Sequence, residues 1–221
     1  MTLMAPARSP KRRLRAKTAA KQFRIGTTGW TVADLDDPRL EHQFALGRYE
    51  IVEGVPTETA PPNFDGNYGL SGLARIVEDH LRKSDSRACM VFEVDLILGQ
   101  RRFGIVDALY LDPEQARRQR QRHVASGTQP KLKMGRIRVP PTLVIESVSL
   151  GHEVQDRETK RAWYEEFLVP NYWVLDGLRH RLECLRLEDG KYDLDCEGKK
   201  NSVVRPSAFP GLVIPLHDVW L

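Results

Sequence analysis

Residues 142–176 carry the pattern that most restricts what this chain can fold into. TLVIESV is a β-branched apolar run, DRETKRAWYEEFL has helical spacing, and NYWVLD is apolar and aromatic again. Strand, helix and strand in direct succession argue for a mixed sheet that carries helices. The flanks agree. CMVFEVDLILGQRRFGIVDALYLDP reads as a hairpin turning at Gly99-Gln100. Beyond residue 176, RHRLECLRL, KYDLDCE and a proline-punctuated tail ending in LVIPL read as a β-meander with a short last strand. No internal repeat interrupts this order.

The N-terminal third is less regular. Residues 31–46 read as a short helix capped at Thr31 or Asp34, with Leu35, Leu40 and Phe44 as its apolar points. RYEIVEGVPTETAPP predicts a strand, a glycine turn and a proline stop. In GNYGLSGLARIVEDHLRK, Leu70, Leu73, Ala74, Val77 and Leu81 fall on one helical face. Gly66, Gly69 and Gly72 read as a loop leading into that helix. No G-x-x-x-x-G-K-[ST] exists and the G-x-G-x-x-G spacing is not met, so a phosphate-cradling loop is excluded.

Charge is distributed in blocks. The formal net charge is +4, yet residues 1–24 hold eight Lys/Arg and no acid, and residues 115–138 hold eight more and no acid. With those sixteen set aside, 18 of the 34 basic residues remain against 30 acids, a net of −12. An acidic body with two basic tracts has the electrostatic footprint of a polyanion binder, although a solubilising tail and a solvated loop would look the same. The domain reading is a basic N-terminal arm over residues 1–30 and one folded domain over 31–221. No apolar run is long enough to span a bilayer and no signal-peptide core is present. An Arg-rich, acid-free start is also compatible with a transit peptide. Cys89, Cys184 and Cys196 are odd in number and include no C-x-x-C pair, which points away from both a disulfide framework and a zinc ribbon and toward a reducing, cytoplasmic setting.

Two acids stand inside apolar strands. Asp107 shares a face with Ile105 and Leu109, and Glu146 with Val144 and Val148. An unpaired carboxylate is expensive to bury, and two of them on neighbouring strands repel unless a cation lies between. Mg²⁺ or Mn²⁺ suits such a site, because hard oxygen ligands and one or two carboxylates suffice for it. The plainer alternative, that each acid ends its strand or pairs with an arginine, stays open at this point. Asp156 is well placed to cap the following helix, and Lys160 lies one turn in, with Tyr164 four residues further along the same face. A lysine there would point back at the carboxylates.

PPTLVIESVSLGHEVQDRETKRAWYEEFLVPNYWVLD resembles the signature of the Uma-type family of putative restriction endonucleases, within the PD-(D/E)XK nuclease superfamily. RYEIVEGVP, IVDALYL and SAFPGLVIPLHDVW resemble that family's N-terminal, central and closing segments in the right order, over about residues 31–221. The resemblance implies an α/β fold of the restriction-endonuclease-like type: a central mixed sheet, flanking helices and additional C-terminal strands. It implies catalytic roles for Asp107, Glu146, Lys160 and Glu50, with Asp107 and Glu146 as ligands of Mg²⁺ or Mn²⁺. Glu50 would be an extra metal or water ligand, and Glu53 stands where the family has an Asp. Activity would be hydrolysis of nucleic-acid phosphodiester bonds, DNA foremost, by a cytoplasmic protein that a second copy of the chain would partner. Arg117, Arg118, Arg120, Arg122, Lys131 and Lys133 are the expected phosphate contacts.

The departures from the family pattern are local. Val148 stands where the superfamily lysine usually does, which leaves Lys160 to supply the charge; Val106 replaces a proline, and Asn171 replaces a Glu. S-V-S-L-G gives the turn after Glu146 a different backbone. Of the other candidates, His152 reads as a loop histidine beside the site, and Ser147 and Ser149 lack a nucleophile elbow. Trp163, Tyr164, Phe167, Tyr172 and Trp173 read as core, and Asp176 as a strand-terminal turn acid. The rival to the enzyme is a non-catalytic protein on the same scaffold that binds nucleic acid or another protein.

Overall fold

In the computed structural model of the chain, the described residues are 21–37, 39–40, 43, 48–59, 63–125, 136–148 and 154–221. Eight strands form one mixed sheet: β1 (Tyr49–Val52), β2 (Val55–Glu58), β3 (Val91–Ile97), β4 (Phe103–Tyr110), β5 (Leu143–Ser147), β6 (Asn171–Asp176), β7 (Arg181–Glu188) and β8 (Lys191–Lys199). Their order is β2-β1-β4-β5-β6-β7-β8, and β3 also pairs with β4. Among the described strands only β5 and β6 run parallel, joined by α4 (Lys160–Glu166) and the π-helical turn Gln155–Thr159 ahead of it. A parallel pair needs such a crossover, whereas the antiparallel pairs β1–β2, β3–β4, β6–β7 and β7–β8 close through short turns. A two-stranded sheet of β9 (Val203–Val204) and β10 (Ile214–Pro215) ends the fold.

Every residue of β5 and β6 is buried, because helices cover both faces there. On one face, Leu70, Leu73 and Val77 of α2 (Phe64–Leu81) pack against Ile145, Trp173 and Leu175 and the C-terminal Leu216, Val219 and Trp220. On the other, Trp163 and Tyr164 of α4 pack against Leu109, Val144, Val148 and Tyr172. Glu146 points into this second face, on the side of Val144 and Val148, as period-two counting predicts.

Several local expectations are corrected. Gly66, Gly69 and Gly72 lie inside α2, whose cap is Asn63 accepting the Gly66 N–H at 2.7 Å. A Cβ on Gly69 would sit 3.2 Å from the Trp220 ring, and one on Gly72 would sit 3.2 Å from the Asp218 carbonyl. Small residues there let the C-terminal segment lie directly on the helix, which offsets their cost of about 1 kcal/mol each in helix propensity. The proline stop after Gly54 is instead an edge strand, β2, where Pro56 has no ladder N–H to lose. The first helix, α1, covers only Val32–Leu35; its capping box joins Thr31 and Asp34, and Phe44 lies outside the described residues. The basic tract meets the expectation of a partly helical connection over 113–124, as α3 (Pro113–Ala125), and Lys131 and Lys133 lie outside the described residues. Packing begins before residue 31: Trp30 is buried, and the Phe23 ring lies 5.1 Å from Trp30 and 4.6 Å from Tyr49. Among the described residues, no helix is long and apolar enough to cross a membrane.

Candidate active site

The site begins as a gap in the sheet. β3 occupies one edge of β4 from Phe103 to Leu109. The other edge is shared, with β1 meeting it at Phe103 and β5 at Ala108–Tyr110. Between those contacts β1 and β5 diverge, and among the described residues, 104–106 have no ladder partner on that side. Backbone N–H groups near such a fork still need acceptors. Two carboxylates supply them: the Ile105 N–H donates to Glu50 Oε1 at 3.1 Å, and the Ser147 N–H donates to Asp107 Oδ2 at 2.8 Å. The same register, continued one residue, sets Asp107 opposite Glu146.

Glu146 is fully buried. Its Oε2 accepts from Lys160 Nζ at 3.1 Å and its Oε1 from the Tyr164 hydroxyl at 2.5 Å. Lys160 Nζ also lies 3.4 Å from Glu50 Oε1, so one buried ammonium bridges the carboxylates of β1 and β5. Lys160 is the first residue of α4 and Tyr164 follows one turn later, which aims both at the same strand. Burial pushes the Tyr164 phenol well above its ordinary value and the neighbouring Glu146 charge adds to this, so Tyr164 stays a proton donor.

The turn that delivers Lys160 is itself tied to the sheet. Arg157 donates to Asp176 at 3.0 Å and pairs with Glu183 of β7. Burial alone would raise the Asp176 carboxyl, but hydrogen bonds from Arg179 and Arg157 outweigh it and hold the group below the usual carboxylate range. Asp176 is therefore an anchor for the turn as well as a strand end. Residue 156 lies within the π-helical turn, not at a helix cap, because the helical backbone already starts at Val154.

Glu50, Asp107, Glu146 and Lys160 are thus brought to one fork, while other expected groups stand apart. Glu53 turns outward with φ 49° and pairs with Arg102 at 2.5 Å. Arg117, Arg118, Arg120 and Arg122 are exposed on α3, whose Gln119 is bonded to the backbone of Arg136 and Arg138. Arg118 pairs with Glu114, and Arg122 donates to the Arg138 carbonyl at 2.6 Å; among the described residues none of the four touches the buried cluster. Ser149 and His152 lie outside the described residues. Ser147 Oγ points to the opposite face beside Gly66, buried and without a hydrogen-bond partner among the described residues. Trp163, Tyr172 and Trp173 are core. Tyr164 is core as well, but its hydroxyl is also a ligand of Glu146, a role that the K-x-x-x-Y spacing signals once both residues are set on one helical face.

Among the described residues, Lys160 pairs with the carboxylates of Glu50 and Glu146, and Asp107 stands next to them on the Ser147 N–H. Such an all-oxygen donor set fits a hard divalent cation such as Mg²⁺ or Mn²⁺. Among the described residues no three His, Cys, Asp or Glu side chains converge in metal-holding geometry. Mg²⁺ does not require them, since one or two carboxylates plus water and phosphate oxygens complete its shell. Each carboxylate oxygen has two lone pairs, so Glu146 can keep its Lys160 and Tyr164 bonds and still ligate.

The model of the Uma2 family, described as "putative restriction endonuclease", matches residues 37–217. No curated protein matches the chain. Among solved structures, a putative nuclease of the DUF820 family from Anabaena variabilis is similar, with a TM-score of 0.58 and 14% sequence identity. The alignment covers 81% of this chain and 96% of that one, which establishes a shared fold.

Proposed function

The chain belongs to the Uma2 family, and from that membership we propose that it is a metal-dependent endonuclease that hydrolyses phosphodiester bonds of nucleic acid, with DNA as its substrate. The observation that carries this reading is Glu146: a fully buried carboxylate on β5, opposite Asp107 and gripped by Lys160 and Tyr164. Among the described residues two buried glutamates share the Lys160 ammonium, and Asp107 stands in register beside Glu146. A divalent cation held by Asp107 and Glu146, with the Ser147 carbonyl, would supply an activated water at neutral pH and charge neutralisation at the scissile phosphate.

The chain's own groups do the rest. Lys160 Nζ, within reach of both glutamates, orients the attacking water or meets the negative charge that develops on the phosphoryl oxygens. Glu50, tied to the Ile105 N–H, fixes where that ammonium sits. Tyr164 keeps one Glu146 oxygen engaged and so sets the direction in which the carboxylate presents its remaining lone pairs. The exposed Arg117, Arg118, Arg120 and Arg122, together with Lys131 and Lys133, contact backbone phosphates away from the cleavage point, a term that weakens steeply with salt.

The test is cleavage of supercoiled plasmid, single-stranded DNA and RNA with Mg²⁺ or Mn²⁺, comparing wild type with Glu146→Ala and Lys160→Ala. Metal-dependent cleavage lost in both variants is expected. No cleavage of any substrate by wild type favours the non-catalytic rival. Cleavage that survives both substitutions moves the site elsewhere.

A further inference from the structure

Cys184 and Cys196 face each other directly across β7 and β8. Cys184 is fully buried in the core beneath α2, and Cys196 is half-buried and packs against that same core. Residues in direct register on antiparallel strands have Cα atoms about 4.5–5.5 Å apart with side chains on one face. That span falls within the roughly 4.4–6.8 Å that a disulfide needs, so no backbone movement is required. The ladder also slips between Cys184 and Leu185, which leaves Asp195 as an extra residue beside the pair and adds local twist. Neither cysteine has a place in the cluster of Glu50, Asp107, Glu146 and Lys160.

We propose that Cys184 and Cys196 form an oxidation site, closing to a cross-strand disulfide when a low-molecular-weight disulfide such as oxidised glutathione is present. The inference stands independently of the nuclease reading. The two thiols differ in the way exchange chemistry requires. Cys196 is the accessible one, and a hydrogen bond from Cys184, helped by the Arg205 backbone and opposed by burial, holds its thiol below the ordinary value. Burial pushes Cys184 up, with the Cys196 hydrogen bond acting the same way. Cys196 thiolate therefore attacks first, breaking the glutathione S–S bond and releasing one glutathione thiolate, which takes up the proton that Cys196 gave up. Cys184 then loses its proton and attacks the Cys196 sulfur of the mixed disulfide, releasing the second glutathione. Two protein thiols are oxidised and one disulfide is reduced to two thiols.

The position gives the bond a consequence. Glu183, the neighbour of Cys184, pairs with Arg157 in the turn that leads to Lys160. A cross-link at this register holds β7 against β8 where that turn is anchored.

The experiment equilibrates the full-length chain in glutathione buffers of rising oxidised fraction, traps free thiols under denaturing conditions and maps the peptides. The expected result is a linked Cys184–Cys196 peptide, with Cys89, which is exposed and remote in sequence, either free or carrying glutathione and outside that link. Cys184→Ala should leave Cys196 trapped as a stable glutathione adduct, and Cys196→Ser, in a chain that retains its native circular dichroism, should leave the buried Cys184 unmodified. In wild type the oxidised form should melt at least about 4 °C higher than the reduced form, the direction expected when a cross-link restricts the unfolded chain. Two separate glutathione adducts, or both thiols remaining alkylatable at full oxidation, would overturn the proposal.

Discussion

Replacing Lys160 with Met probes the cluster most sharply. Methionine fills nearly the same volume, so the change removes charge without opening a cavity. Two carboxylates, one with no exposed surface and the other 1% exposed, lose the ammonium at 3.1 and 3.4 Å. Breaking a buried ion pair by removing one partner costs about 3–5 kcal/mol, because the remaining charge is uncompensated. Here Glu146 keeps the Tyr164 hydroxyl and Glu50 keeps the Ile105 N–H, which places the loss near the lower end, about 3 kcal/mol. For a chain of this size that lowers Tm by roughly 6–12 °C. Urea and thermal denaturation should show this loss without added metal, and millimolar Mg²⁺ or Mn²⁺ should recover more stability in the variant than in wild type. A Tm within about 2 °C of wild type would refute the reasoning, since the ammonium would then not be the counter-charge of two buried acids.

Other consequences are as direct. Tyr164→Phe removes a hydrogen bond to a buried carboxylate and should cost about 1.5–3 kcal/mol in urea unfolding with the fold retained. Tyr49, Tyr164 and Tyr192 are all raised above the ordinary phenol value, first by burial. Their contribution is fully present below about pH 10 and is lost as pH rises further, so the tyrosinate absorbance of these three should appear only together with unfolding. Asp176 is shifted the other way, so its contribution is present above about pH 4 and lost as pH falls through its lowered value. Asp176→Asn should therefore be less stable than wild type at pH 7, by about 2 kcal/mol, and the difference should close in acid. Gly198→Ala should destabilise by about 1–3 kcal/mol, because its Cβ would lie 2.4 Å from Val204 and 2.9 Å from Leu216.

Much of this was legible in the residues, for definite reasons. Buried parallel strands need continuous apolar runs, so TLVIESV and NYWVLD declared themselves, and a lone Glu inside the first stood out against them. What stayed hidden depends on contacts distant in sequence. Gly69 and Gly72 look like loop residues until Trp220 and Val219, nearly 150 residues later, are seen to need the space. The fork between β1 and β5 has no local signal, because it arises from two strands sharing one edge of β4. Glu50 is singled out by the family resemblance alone, because nothing in its own strand signals that Lys160 and the Ile105 N–H meet it. The π-helical turn is likewise fixed by Arg157 reaching Asp176 and Glu183, partners that no spacing rule joins to it.

We propose that Asp107 and Glu146, in the fork they share with Glu50 and Lys160, hold a divalent cation. Mn²⁺ binding followed by electron paramagnetic resonance tests it without depending on a substrate. One tight site per chain in wild type, lost in both Asp107→Asn and Glu146→Gln and retained in Lys160→Met, is the predicted result. Equal Mn²⁺ binding in wild type and both carboxylate variants would contradict it.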